Sequence, residues 1–134
     1  MTMQLSLGPL QYYWPRSMVF DFYEAMAATA VDVVYLGEVT CSRRHELRFS
    51  DWLDVAALMR SAGKEVVLST MVLLESGADV GAMHKITAQT DFAVEANDMG
   101  AVQSLHGAQR GFVAGPHLNI YNQPTLEWMH GMGA

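Results

Sequence analysis

The sequence predicts an α/β fold of five βα units, read as part of a TIM-like (β/α) barrel or, alternatively, as an open five-stranded doubly wound parallel sheet. Three observations predict it. Short β-rich runs alternate with longer segments of helical period, the pattern of right-handed βα units around a parallel sheet. The runs recur about every 27 residues along 134 residues. Most of them are short, apolar and β-branched, as strands covered on both faces should be.

The strands are predicted at Gln4-Leu5-Ser6-Leu7, Asp32 to Leu36, Glu65-Val66-Val67-Leu68-Ser69, Phe92-Ala93-Val94-Glu95 and Gly111-Phe112-Val113-Ala114. Pro15 suits the first position of the first helix, because its missing N–H would be unpaired there. Met18, Phe22 and Met26, with Val19, Tyr23 and Ala30, then form an apolar stripe. The second helix is expected after Ser50 as N-cap, with Trp52, Val55, Ala56 and Met59 inward and Gly63 at its end. A third helix falls within 78–89, with Val80, Met83 and Ile86 or Thr87 inward, although Gly77 and Gly81 weaken its start. The fourth starts at Asn97 or Asp98, both able to cap, and carries Met99, Val102 and Leu105. The fifth follows Asn122, with Pro124 in its first turn and Leu126, Trp128 and Met129 buried. Methionines 18, 26, 59, 83, 99 and 129 read as flexible core filler on these helices.

Composition narrows the function classes. The chain is 51% hydrophobic and 16% charged, against about 45–50% apolar and about 25% charged in average soluble domains. Such a surplus points to apolar surface meant for a partner or for missing structure, and it favours the incomplete barrel over the self-sufficient open sheet. A net charge of −6, with Lys and Arg scattered apart from Arg43-Arg44, gives no electrostatic footprint for nucleic acid. No apolar run approaches the length of a membrane span, and the start has no signal-peptide pattern. The expectation is one domain over residues 1–134 in a cytoplasmic protein, with a lone cysteine that cannot form an internal disulfide. No glycine-rich phosphate loop is present.

In either architecture ligands and reactive groups gather at the carboxyl ends of the strands. The second strand leads there into Gly37-Glu38-Val39-Thr40-Cys41-Ser42-Arg43-Arg44, which holds the only cysteine. Cys41 reads as a metal or cluster ligand, as a nucleophile flanked by arginines, or as an inert thiol; no second cysteine lies at ligand spacing. Glu38 and Glu95 sit at the ends of two different strands and suit acid, base or substrate-binding work. Against that stand a salt bridge from Glu38 to Arg43 or Arg44 and a helix-entry role for Glu95. Asn97 and Asp98 read as caps. His117, after Gly115-Pro116, is the histidine expected to face a pocket, with Asn119 beside it. Tyr12, Tyr13 and Trp14 can stack on a flat ring or simply pack.

Several segments together resemble a known group. They are Leu7-Gly8-Pro9, Tyr13-Trp14-Pro15, Val34-Tyr35-Leu36-Gly37-Glu38, Cys41-Ser42-Arg43-Arg44, Asp51-Trp52-Leu53, Gly63-Lys64, Val67-Leu68-Ser69-Thr70, the run from Glu95 to Gly100 and the run from Phe112 to Asn122. The chain is similar, from about residue 4 onward, to the UbiV branch of the collagenase-like peptidase family. That resemblance implies a barrel-type fold, a [4Fe–4S] cluster and a heterodimer with a UbiU-like protein. It implies a role in anaerobic, oxygen-independent hydroxylation of a ubiquinone precursor. Of the four cluster cysteines of the family, the first lies in a Gly-Glu-x-x-Cys-Ser-x-Arg segment and maps onto Cys41. The other three have no counterpart, so the resemblance implies the N-terminal portion of a larger barrel that supplies one of four ligands. Glu38, Arg43, Arg44, Glu95, His117 and Asn119 are expected to line the pocket. Two other readings stay open: another family member, peptidase-like or an RNA-base hydroxylase, and a non-catalytic interaction module.

Overall fold

The computed structural model describes residues 2–134. Five βα units follow one another: β1 (Ser6–Leu7), α1 (Arg16–Ala27), β2 (Val33–Leu36), α2 (Phe49–Ser61), β3 (Glu65–Ser69), α3 (Gly77–Ala88), β4 (Ala93–Ala96), α4 (Met99–Gly107), β5 (Val113–Ala114) and α5 (Gln123–Met132), with a single 3₁₀ turn at Pro116–Leu118.

All strands pair in parallel in the order β1-β2-β3-β4-β5. A doubly wound sheet reverses its strand order at a switch point; this one has no reversal. With right-handed crossovers, an unreversed order keeps every helix on the same side of the sheet. The result is a curled half-barrel, helices outside and a concave sheet face within.

Strand alternation assigns the two faces. Val34, Leu36, Val66 and Leu68 pack outward with Val19 and Tyr23 of α1 and Val55, Ala56 and Met59 of α2. Val94 and Ala96 pack with Met83, Ala101, Val102, Leu105 and Met129. The intervening Val33, Tyr35, Val67, Ser69 and Glu95 occupy the concave face.

The edge strands are shorter than predicted, and the N–H groups at their starts are taken by partners outside the strand ladder. Leu5 N–H goes to the Asp32 carboxylate at 2.7 Å, and Phe112 N–H to the Gly133 carbonyl at 3.1 Å. The second helix begins at Phe49, before the predicted Ser50 cap; the Asp51 carboxylate accepts the Arg48 N–H at 2.8 Å and closes that end instead. Ser76 caps α3, Asp98 caps α4 and Asn122 caps α5. Gly63, at φ +81, ends α2 as expected.

Six residues predicted inward face out. Met18, Val80, Met99, Leu126 and Trp128 are exposed, and Ala30 lies beyond α1 in an exposed turn. On α1 the buried ridge runs one position later, through Val19 and Tyr23, while α5 buries only Met129 and turns Leu126 and Trp128 to solvent. Of the six core methionines, Met59, Met83 and Met129 are buried, and Met26 is half-buried.

Candidate functional site

The segment after β2 is shaped by Gly37 and Glu38. Gly37 takes φ +135, and a β-carbon there would stand 2.7 Å from the Ser69 carbonyl oxygen, so the strand leaves the sheet where only glycine fits. The half-buried Glu38 then turns its carboxylate back on its own loop: Oε1 accepts the N–H of Thr40 at 2.8 Å and of Cys41 at 3.1 Å. The Arg44 N–H donates to the Cys41 carbonyl at 3.1 Å and completes a turn around the cysteine. Cys41 is a free, half-buried thiol.

Neither arginine pairs with Glu38. The Arg44 guanidinium donates to the Gln11 carbonyl at 2.9 Å and lies over the Tyr13 ring at 5.6 Å, fastening the segment after β1 to the segment after β2. Arg43 is exposed. The ion pair found among the described residues is Arg16–Asp51, at 2.8 Å. Tyr12 stacks on Trp14 at 5.8 Å, so these aromatics pack against one another.

A second polar group sits where β3 and β4 end. Thr70 N–H donates to the Glu95 carbonyl at 3.0 Å, and Asn97 N–H to the Thr70 hydroxyl at 3.0 Å. The Asn97 amide donates to the Thr70 carbonyl at 3.0 Å and to Glu95 Oε2 at 3.1 Å. Ser69, Thr70, Glu95 and Asn97 are all buried. Of the two expected caps, Asn97 caps no helix and Asp98 does, through the N–H groups of Gly100 and Ala101, at 3.1 and 2.9 Å. Ser69 Oγ and Asn97 Oδ1 have no hydrogen-bond partner. Burial, reinforced by the charges of Glu95 and Glu65, raises the Tyr35 phenol above its ordinary pKa on this face.

Neither His117 nor Asn119 hydrogen-bonds to either group. His117 is exposed within the 3₁₀ turn, and Asn119 takes the left-handed conformation that ends it, accepting the Tyr121 hydroxyl at 3.4 Å. The expected pocket residues therefore divide into three: Glu38, Arg43 and Arg44 beside Cys41 after β2, Glu95 on the concave face, and His117 with Asn119 after β5.

Among the described residues no three His, Cys, Asp or Glu side chains converge on a metal position. The ligand set present does not fit a complete cluster: Cys41 offers one thiol. Nor is any described helix long and apolar enough to cross a membrane.

The sequence reading missed two features. One is Asn97, the hub of the buried strand-end network, whose side chain looked like a cap because it directly precedes a helix. The other is an apolar cleft of about 260 Å³ between α2 and α3, opening beside the Cys41 segment. No family model matches the chain, and no solved structure matches it.

Proposed function

We propose that this chain is the N-terminal portion of a UbiV-like iron–sulfur protein, and that Cys41 contributes one thiolate to a [4Fe–4S] cluster whose other ligands lie outside the sequence described. The whole protein would act with a UbiU-like partner in oxygen-independent hydroxylation of a ubiquinone precursor. The observation that carries the reading is the Cys41 segment itself. It holds the Gly-Glu-x-x-Cys-Ser-x-Arg pattern, it leaves the carboxyl end of a barrel-type strand, and Glu38 fixes its backbone around the cysteine. The curled, unreversed sheet is what a barrel portion requires, and its free edges at β1 and β5 are where further strands would join.

The chemistry supplied by a bound cluster would be electron transfer or substrate activation. What this chain's own residues contribute is the ligand sulfur and a loop held in one conformation. The test is iron and acid-labile sulfide content of the full-length protein after anaerobic reconstitution, with and without Cys41→Ala. Loss of about the whole cluster is expected; an unchanged iron content removes Cys41 as a ligand. Accumulation of a quinone precursor on gene deletion under anaerobic growth separates this role from that of a peptidase-like or RNA-modifying relative.

A further inference from the structure

The helix layer is not evenly packed. Helix α1 packs closely on α2 and α3 on α4, whereas α2 and α3, like α4 and α5, meet less closely. The outer core divides accordingly into one cluster around Tyr23, Met59 and Leu68 and another around Met83, Leu105 and Met129, with Ile86 touching both. The gap between them is the cleft of about 260 Å³. Leu36 and Leu68 form its floor, Phe49 and Trp52 of α2 one wall, and Met83 and Ile86 of α3 the other. Protein interiors contain few voids larger than a water molecule, and an apolar recess with a few polar groups at its mouth is the usual form of a small-molecule site.

The charged residues of the lining are of two kinds. Its two carboxylates are turned onto backbone donors: Glu38 onto the N–H groups of Thr40 and Cys41, and Asp79 onto those of Glu75 and Ser76, both at 3.0 Å. The cationic side chains keep donors to spare. Arg44 commits one guanidinium nitrogen to Gln11, while Lys85 and His45 make no side-chain hydrogen bond or ion pair among the described residues. An apolar slot with an aromatic wall and uncommitted N–H donors in its lining selects a ligand with a flat apolar body and an anionic head.

We propose that the α2–α3 cleft binds a small aromatic carboxylate, its ring between Trp52 and Ile86 and its carboxylate at Arg44 and Lys85. The proposal does not depend on cluster ligation by Cys41, which lies outside the lining of the cleft.

Titration of the 134-residue chain with naphthoate, followed by amide NMR, tests it, with naphthylmethanol as the uncharged analogue. Saturable shifts centred on Leu68, Ala82 and Ile86 are expected, with the alcohol binding about tenfold more weakly for want of charge-assisted hydrogen bonds. Ala82 is an exposed residue on the cleft wall, and Ala82→Trp should fill the slot and abolish binding of both probes. In the Arg44→Gln, Lys85→Gln double variant, naphthoate should fall to the affinity of the alcohol. The proposal is overturned by an absence of saturable binding, by shifts centred elsewhere, or by naphthoate affinity that survives Ala82→Trp. Should Ala82→Trp fail to fold, the double variant decides, because undiminished naphthoate affinity there overturns the assignment equally.

Discussion

The side-chain oxygen of Asn97 occupies the space where a β-carbon on Gly115 would stand, and the Ala96 carbonyl oxygen is 2.8 Å from the same point. The two chain segments after β4 and β5 meet at this spot, where Gly115 N–H also donates to Ala96 at 2.8 Å. Because Asn97 is held by Thr70 and Glu95, it cannot yield without opening the buried network. Gly115 has an ordinary φ of −71, so the demand for glycine here is one of space alone. Gly115→Ala is therefore expected to cost about 3 kcal/mol, the upper range for overpacking. Gly8→Ala, with nothing near its β-carbon position, should be close to neutral. Urea denaturation of the two variants checks the contrast, and equal stabilities would refute it.

The loop around Cys41 makes a separate prediction. Glu38→Ala removes the acceptor for two backbone N–H groups and should cost about 1 kcal/mol while speeding alkylation of Cys41 by iodoacetamide. Glu38→Gln keeps an acceptor oxygen at the same reach and should restore the slow rate. If the alanine and glutamine variants alkylate alike, the carboxylate does not order this loop.

Tyr23 is wholly buried and its hydroxyl has no partner. Tyr23→Phe deletes an unpaired polar group while keeping the ring contacts with Phe22 and Trp52, so it should stabilise the chain by about 1 kcal/mol. Desolvation also raises this phenol far above its ordinary range. A raised phenol in the folded state means that stability is retained below about pH 10 and declines as pH rises beyond it. That alkaline decline should be shallower in Tyr23→Phe, as measured by denaturation midpoints across the range.

The parts of this fold that were legible in the sequence are those fixed by local chemistry. The central strand Glu65–Ser69 is a continuous β-rich run that fills both faces, and it was predicted to the residue. Asn122 and Gly63 were legible because capping and left-handed turns leave residue-specific marks. Helix phase was harder: Met18 and Val19 are adjacent and both apolar, and only the packing of α1 against β2 and α2 decides that Val19 turns inward. Strand order was illegible from periodicity, since the open sheet and the barrel share the same βα alternation. Asn97 was read as a cap because cap and buried hub use the same amide; what separates them is the Thr70 hydroxyl, 27 positions away in sequence. The cleft likewise arises from a gap between two helices, and no local pattern encodes a gap.

Acid should act on the start of α3. The N–H groups of Glu75 and Ser76 hold the Asp79 carboxylate below its ordinary pKa, the Glu75 bond most strongly, with the Ser76 and Ser42 side chains adding to it against the opposing effect of burial. Asp79 also completes a capping box with Ser76, so protonation weakens both halves of that end of the helix. A depressed carboxyl in the folded state contributes stability that is fully present above about pH 4 and is lost as pH falls through the lower folded value. Asp79→Asn should lower stability at neutral pH and flatten the acid limb below pH 4. Because Asp79 lines the α2–α3 cleft, the same variant should leave naphthoate binding at least as strong as in the parent chain, since it removes a negative charge and no donor. Denaturation midpoints measured from neutral to strongly acidic pH check the first expectation, and a limb as steep in the variant as in the parent would refute it.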